Sequence, residues 1–374
     1  MNPFEHPALD EIDEIAPQLH AFGQRLEQDP EDWEDLWGLE LMRALTLIEV
    51  PEEFSEIPNC GGRFGPGRVS YLQLLGVSER ISRHDPSCIM ALPTPGLGGF
   101  ATSVLGNAAQ KERFFRRYQQ TRPSRNFFAI TEPTVGSDAT NGVSRVEVGP
   151  NGPLLSAHKK LVGSMPQSDL GVIFVKDERT KSHRLVVADA EMLGKMDITR
   201  LNIAGLRGAD LGELHVDDLA IDESDFLGHG LDRGLRDGFF AMNSVFERYR
   251  PMVITMALGV ARGILGDLVE CGVGRQHLDG PLIRSQALLM RVIDIGGALE
   301  AGKPKGPETS RLKVETMTFL DSVMRLAFTH MPQTDLEQHA RLLKRCRDAR
   351  SFEYMEGTSH IHVVPAFRSY AASA

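Results

Sequence analysis

The chain of 374 residues is long enough for two or three subdomains, and its 41% hydrophobic and 25% charged residues are ordinary for a globular protein. The formal net charge of -10 argues against nonspecific nucleic-acid binding, because a phosphate backbone would be repelled. The four cysteines form no CxxC pair and lie at no metal-ligand spacing, which is typical of reduced thiols in a cytoplasmic protein.

Residues 1 to about 120 are predicted to be mostly helical. The acidic N-terminus lacks the long apolar core of a signal peptide, and no apolar run in the chain approaches the roughly 20 residues that a membrane helix needs. Amphipathic stretches around 71–75 and 104–105 predict helices, and clusters of proline and glycine separate them. We therefore expect neither a leader nor a membrane span.

Between about 121 and 225 the spacing of apolar residues changes from the helical period to the shorter period of strands. The runs Leu170–Val175 and Arg184–Ala188 are rich in apolar residues, which indicates strands. Residues 212–221 alternate apolar and acidic side chains, which indicates a strand with one exposed face. A small β region between two helical regions is the expected result.

The helical period returns after about residue 235. Apolar side chains recur at three- and four-residue spacing from Phe239 to Val260, with Pro251 expected to kink this helix. Further helices are predicted at 282–299, 312–327 and 336–349, and 302–307 is predicted to be a loop. The last helix carries a basic patch that we interpret as a solvated face: Arg341, Lys344, Arg345 and Arg347.

The most informative stretch is 127–138, which reads FFAITEPTVGSD. It is a short strand that ends in a hydroxyl, a glycine and a second hydroxyl, a turn able to hold a flat polar ring and a phosphate. The string resembles the flavin-contacting signature of the acyl-CoA dehydrogenase family, and the order of helices, strands and helices resembles that family along nearly the whole chain. The resemblance implies an α+β, mainly α fold. Its parts would be an N-terminal helical domain (1–122), a middle β-barrel or sheet domain (123–228) and a C-terminal four-helix bundle (229–374).

The resemblance implies an FAD site built from two strand ends. The positions of Thr131 and Ser137 contact the flavin ring and pyrophosphate, and Ser137 also borders the substrate. The matching backbone positions are Phe128, Ile130 and Gly136. On the second strand, Leu161, Val162 and Gly163 stand where the family usually has an aromatic, an aliphatic and a threonine, so one hydroxyl contact is lost.

A second subunit is implied by the segment that begins at Arg275. Arg275, Leu278 and Gln286 resemble the arginine-and-glutamine loop that reaches the neighbouring subunit's FAD, which implies a homodimer or homotetramer. The chain departs from the family at Pro332–Asp335, where relatives carry a Gly-Gly-x-Gly contact to the partner's cofactor. The segment around Arg207 resembles the last β-domain signature, with Arg207 expected in an ion pair.

The string 354–361, YMEGTSHI, resembles the segment that carries the catalytic base. The resemblance makes Glu356 the base that removes the α-proton of an acyl thioester, with Gly357 approaching the substrate and Thr358 and His360 contacting the cofactor. A carboxylate in a dry pocket has a raised pKa and becomes a stronger base. Glu353 is a nearby competitor for the role, and Arg250 would face the thioester or the carboxylate.

These matches predict FAD-dependent α,β-dehydrogenation, with the β-hydrogen passing to flavin N5 as hydride. The acyl group could be carried on CoA or on an acyl carrier protein, and the electrons could pass to an electron-transfer flavoprotein or to oxygen. Two alternatives stay open at this point. One is an oxidase or monooxygenase on the same fold, and the other is a flavin-free scaffold relative.

Overall fold

The computed structural model describes residues 3–55, 69–119, 125–231, 237–331 and 339–373. The helices are α1 (Asp10–Glu14), α2 (Ala16–Gln28), α3 (Glu34–Gly38), α4 (Glu40–Thr46), α5 (Tyr71–His84), α6 (Pro86–Ala91), α7 (Gly96–Leu105), α8 (Ala108–Phe115), α9 (Ala190–Leu193), α10 (Gly238–Glu270), α11 (Arg275–Glu300), α12 (Gly306–His330), α13 (Ala340–Ser351) and α14 (Ser359–Ser373). The strands are β1 (Asn126–Ala129), β2 (Arg145–Gly149), β3 (Gly152–Val162), β4 (Leu170–Asp177), β5 (Ser182–Asp189), β6 (Asp197–Arg200) and β7 (Gly212–Ala220). The predicted mainly helical fold with a sheet in the middle of the chain is confirmed. The domain boundaries stay a prediction, and residue 122 lies outside the described ranges.

Helix α5 has clear sequence signals at both ends. Ser70 and Gln73 form a capping box, in which each side chain bonds the other residue's backbone N–H. The helix stops at Asp85, which precedes Pro86 and caps α6 by accepting from Ser87 N–H at 2.9 Å. These caps fix where α5 begins and where it ends.

The seven strands form one sheet in the order β1-β4-β2-β3-β7-β6, with β5 pairing on the other side of β4. Strand β4 is the centre: it runs parallel to β1 and β2 and antiparallel to β5, and Leu170–Val175 are buried. Gly171 lies opposite Phe127, and a Cβ there would stand 2.1 Å from the Phe127 ring. Because residue 171 is a glycine, the Phe127 ring of β1 can pack against β4.

Helix α10 is the central helix of the C-terminal region. It packs against α5, α11, α12 and α13. Gly259 and Gly263 let it approach α5 closely, since a Cβ on either would stand 2.3 Å from an α5 carbonyl oxygen. Pro251 lies inside one continuous helix. Among the described helices, α10 alone is long and apolar enough to cross a membrane, and 83% of its most apolar 18-residue window is buried in the protein.

The predicted solvated face of α13 is only partly correct: Arg347 is exposed and Arg341 is half-buried, whereas Lys344 and Arg345 are buried. Lys344 is 5% exposed, and its ammonium lies between the carboxylates of Asp85 and Asp348 at 2.8 and 2.7 Å. Arg345 is 4% exposed and pairs with Asp267. A buried charge is tolerated where a partner neutralises it, so these two residues fix α13 against the α5–α6 junction and α10.

Candidate active site

Glu356 lies in the turn between α13 and α14. Its backbone is held in the left-handed region, with φ of 53°, and Gly357 follows at 98°. Its carbonyl oxygen accepts from Arg250 Nε at 3.2 Å and lies 3.1 Å from His362 Nε2. A non-glycine residue persists in this conformation where its surroundings hold it, so α10 and α14 together fix the backbone of residue 356.

The carboxylate of Glu356 is bound much less than its backbone. Its Oε2 atom is buried and has no hydrogen-bond partner among the described residues. Burial raises the pKa of this carboxyl from its ordinary 4.5 to about 7, although the charges of Arg250 and Lys313 oppose the rise. A carboxylate with this pKa is a competent general base near neutral pH.

Two buried side chains complete this site, and neither was predicted from the sequence. Lys313 of α12 is fully buried and donates to the carbonyl oxygens of Phe352 and Met355, the latter at 3.0 Å. His362 is 2% exposed, and its Nδ1 lies 3.1 Å from the Ser310 hydroxyl. The available signal was the position of Lys313 on the apolar stripe of α12, between buried neighbours.

Glu353, the competing carboxylate, has a structural partner. It accepts from the Ser359 N–H at 2.8 Å and from the Ser359 hydroxyl at 2.7 Å. Ser359 opens α14, so Glu353 satisfies a donor at the start of that helix. This engagement leaves Glu356 as the carboxylate free for chemistry in the turn.

The loop after β1 is anchored by a buried ion pair. Lys159 and Glu132 are 1% and 4% exposed, and Lys159 Nζ lies 2.8 Å from Glu132 Oε1. Glu132 also accepts from the backbone N–H groups of Val143 and Ser144 at 2.7 and 3.1 Å. Although burial opposes it, the bond and charge of Lys159 hold the pKa of Glu132 below its ordinary value. Both ends of the loop are thus tied to one carboxylate.

The two predicted flavin strands meet at this loop. Thr131 C=O accepts from Lys160 N–H at 2.9 Å, which joins the end of β1 to the end of β3. Gly136 and Ser137 are exposed, a Cβ on Gly136 would meet nothing within 4 Å, and within the described chain the Ser137 hydroxyl has no partner. Leu161 has φ of 60° and is 52% exposed. A free hydroxyl beside uncrowded backbone suits the edge of a flavin or its phosphates.

The remaining residues predicted for the cofactor differ in exposure. Phe128 and Thr358 are half-buried, His360 is exposed, and Ile130 and Val162 are buried. Gly163 has room for a Cβ, because the nearest atom, Ala209 O, would lie at 3.5 Å. These residues stay predictions as cofactor contacts.

The segment predicted to reach a second subunit lies on α11. Arg275 and Gln286 are exposed, and the Arg275 side chain is 94% exposed beside Asp279 at 3.9 Å. Leu278 is 2% exposed and its side chain packs in the main core, and its role as a cofactor contact stays a prediction. The atypical residues Pro332–Asp335 lie outside the described ranges.

Arg207 also differs from its prediction. The expected ion pair is absent among the residues that the structure describes. Arg207 instead lines a groove of about 430 Å³ with Arg200, whose guanidinium pairs with Asp210 at 2.7 Å. The neighbouring arginine, not Arg207, therefore makes the ion pair of this segment.

Comparison with known proteins gives relatives along most of the chain. The chain is 24% identical over 263 residues to 3-(aryl)acrylate reductase of Clostridium sporogenes, covering 68% of this chain and 65% of that protein. It is 25% identical to the CarC subunit of the caffeyl-CoA reductase-Etf complex of Acetobacterium woodii, over 66% of this chain and 64% of that protein. It is 24% identical to the bovine mitochondrial short-chain specific acyl-CoA dehydrogenase, over 87% of this chain and 81% of that protein. The matches to the first two therefore span slightly less than two thirds of those proteins.

Solved structures give the same fold. A glutaryl-CoA dehydrogenase from Mycobacterium smegmatis in complex with FADH2 superposes with a TM-score of 0.78, 16% identity and coverage of 100% of this chain and 98% of that chain. The prolyl acyl carrier protein oxidase AnaB superposes with a TM-score of 0.77 and 16% identity, covering 96% of this chain and 98% of that chain. The chain matches no protein-family profile. The architecture is that of the acyl-CoA dehydrogenases.

The sequence relatives and the fold agree with the motifs of the site. The chain is similar in sequence, at 24% to 26% identity, and in fold to the acyl-CoA dehydrogenases.

Proposed function

We propose that this protein is an FAD-dependent oxidoreductase that dehydrogenates the Cα–Cβ bond of an acyl thioester. The observation that carries the proposal is Glu356: its carboxylate has a buried oxygen without a partner, while its backbone is held by Arg250 and faces His362. Its relatives are named as dehydrogenases and reductases of acyl-CoA and arylacrylate substrates, which supports the same class of reaction.

In the proposed mechanism Glu356 removes the α-proton of the bound thioester. The raised pKa of about 7 makes it a stronger base than an exposed glutamate while leaving a large ionised fraction near neutral pH. Gly357 lets the backbone approach the thioester, and the positive charge of Arg250 favours the negative charge that develops as the proton leaves. When bound, FAD supplies the acceptor for the β-hydride.

The cofactor would be held first by the loop after β1. Thr131 and Ser137 would donate to the flavin and its phosphates, with the Glu132–Lys159 pair holding the loop in place. Leu161 would cover the ring where relatives carry an aromatic side chain. Arg275 and Gln286 would reach the cofactor of a second copy, which makes a homodimer or homotetramer part of the proposal.

The acyl carrier and the electron acceptor have two options each. The acyl-CoA dehydrogenases among the relatives favour CoA, and the fold shared with a prolyl acyl carrier protein oxidase favours a carrier protein. The Etf complex of one relative supports an electron-transfer flavoprotein as acceptor, and the oxidase supports oxygen. A cytoplasmic location and the domain division at 122 and 228 remain predictions.

Two measurements test the proposed function. We expect a visible flavin spectrum after reconstitution with FAD, and its absence would favour the flavin-free scaffold alternative. An anaerobic panel of acyl thioesters on CoA and on a carrier protein, scored by bleaching of that spectrum, should identify at least one reducing substrate. No bleaching by any thioester would contradict dehydrogenation. Oxygen consumption and peroxide release by the reduced protein would then separate an oxidase from a dehydrogenase.

A further inference from the structure

Lys313 is a buried lysine with an unusual pair of partners. Its side chain is fully buried in α12, where a charged group is costly unless it is paired or well bonded. Its ammonium donates to two backbone carbonyl oxygens, those of Phe352 and Met355. Both carbonyls belong to the turn that begins where α13 ends and leads directly to Glu356. Lys313 thus holds the backbone that precedes Glu356, while Arg250 donates to the carbonyl oxygen of Glu356 itself.

The titratable groups that face Glu356 come from three helices and the turn. Arg250 of α10 and Lys313 of α12 are cations that act on its carboxylate. His362 of α14 lies with Nε2 at the Glu356 carbonyl and Nδ1 at the Ser310 hydroxyl, an arrangement that a neutral ring satisfies. Burial lowers the pKa of His362 to about 4, so it adds no charge near pH 7. Glu353 is engaged by Ser359.

Lys313 and Arg250 do different things to Glu356. Arg250 bonds the Glu356 carbonyl and stacks on the Phe246 ring at 5.0 Å. Lys313 bonds the turn before Glu356 and leaves the Glu356 side chain free. Burial lowers the pKa of Lys313 to about 8, with Glu353 and Glu356 opposing the drop, so the ammonium is still largely charged near neutral pH. Its charge is therefore available to the carboxylate without a direct bond.

We propose that Lys313 is a positioning residue for Glu356: its ammonium fixes the turn that carries the carboxylate and supplies positive charge that favours the ionised form. This inference rests on the proposed function for its catalytic meaning. Its structural content, the coupling between residues 313 and 356, stands apart from any substrate or flavin. A lysine with one exposed carboxylate partner would give only the weak coupling of a surface pair.

The test is a direct titration of Glu356 in full-length variants. The carboxyl carbon signal of Glu356 is followed by NMR in protein labelled with carbon-13 glutamate and assigned by its loss in Glu356→Gln. Lys313→Gln keeps a hydrogen-bond donor and removes the charge, and we expect the Glu356 midpoint to rise by about one pH unit or more. Lys313→Arg keeps the charge and should leave the midpoint within about half a unit of the wild type. Lys195→Met, at an exposed lysine of the middle region, is the matched control and should change nothing.

Flavin reduction by a thioester is the second readout. Lys313→Gln should reduce flavin about 10-fold more slowly at pH 7 and recover part of the loss at pH 9, because a base with a higher pKa is less ionised at neutral pH. Lys313→Met should reduce flavin more slowly still, since the carbonyl oxygens of Phe352 and Met355 then lose the donor that Lys313 supplies. If Lys313→Met fails to fold, the Gln and Arg variants still decide the question.

Two outcomes would overturn the inference. One is a Glu356 midpoint in Lys313→Gln equal to that of the wild type. The other is a rate of flavin reduction in Lys313→Gln that is lower than that of the wild type by the same factor at every pH, because a lysine with a purely structural role would give that result. The failure of the proposed function looks different. In that case none of the thioesters reduces the flavin of the wild type, while the titration still reports whether residues 313 and 356 are coupled.

Discussion

Glu132 and Glu356 are two shielded glutamates with opposite surroundings. Glu132 meets a lysine ammonium and two backbone N–H groups, and its pKa lies below its ordinary value. Glu356 is held by its carbonyl, its carboxylate oxygen lacks a partner, and burial raises its pKa to about 7. The first carboxylate is used to hold a loop, and the second is left available for proton transfer. Glu132 is the more buried of the two by exposed area, so the raised pKa of Glu356 follows from the missing partners of its carboxylate as well as from burial.

Replacing Glu356 gives the largest expected effect. Glu356→Gln should fold and bind FAD, since the contacts of residue 356 use its backbone, and should slow flavin reduction by about two to four orders of magnitude, the usual contribution of a general base. Stopped-flow reduction under anaerobic conditions measures this. Glu353→Gln is the matched control and should lose less, because Glu353 caps α14. Near-normal reduction by Glu356→Gln would remove it as the base.

Replacing Glu132 should affect folding more than chemistry. Glu132→Gln leaves the buried Lys159 without a counter-charge, and we expect the free energy of unfolding to fall by about 3–5 kcal/mol. Denaturant unfolding of the flavin-free protein measures this. Glu213→Gln, in the more exposed pairs with His158 and Lys160, is the control and should have little effect. Equal losses in the two variants would contradict a structural role for Glu132.

The pH dependence of stability should separate the two glutamates further. The pKa of Glu356 is raised in the folded state, so its neutral form stabilises the protein below about pH 4.5, and this contribution is lost as the pH rises through about 7. Glu356→Gln should therefore match the wild type at pH 4 and exceed it by about 1–3 kcal/mol at pH 8. The stabilisation from Glu132 runs the other way: it is present above pH 4.5 and is lost as the pH falls. Denaturant unfolding at both pH values decides this, and a constant difference would contradict it.

Ser137 gives the smallest expected effect. It is exposed and makes no hydrogen bond within the described chain, so Ser137→Ala should leave the free energy of unfolding unchanged. The loss of one hydroxyl contact to the cofactor should weaken FAD binding about 2- to 10-fold. Quenching of flavin fluorescence during titration measures the affinity. Unchanged affinity would show that the loop holds FAD through its backbone alone.

Local patterns predicted much of this molecule from the sequence. The runs at 170–175 and 184–188 became β4 and β5 because continuous apolar strands need burial on both faces. The predicted helices at 282–299 and 312–327 lie inside α11 and α12, whose apolar stripes are long. These elements depend on neighbours in sequence, so their pattern is visible in the chain itself.

Long-range pairing is what the sequence did not reveal. Lys344 was predicted to be solvated, yet its partner Asp85 lies 259 residues earlier. Lys313 was missed for the same reason, since the carbonyls that it bonds are 39 and 42 residues away. The loop proposed to contact the flavin could be predicted because all its functional groups lie within one short string. Whether a charge is free or buried is decided by the packing of distant helices.

The way in which residue 356 is held has a consequence for how such proteins diversify. Its contacts to Arg250 and His362 use only the carbonyl oxygen, which every amino acid possesses. The backbone requires a residue that accepts a φ of 53°, a condition that asparagine, aspartate and glycine meet more easily than glutamate. The turn can therefore survive the exchange of its side chain. A descendant of this protein could lose or replace its base in one mutational step and keep its fold, so the reaction can change faster than the architecture.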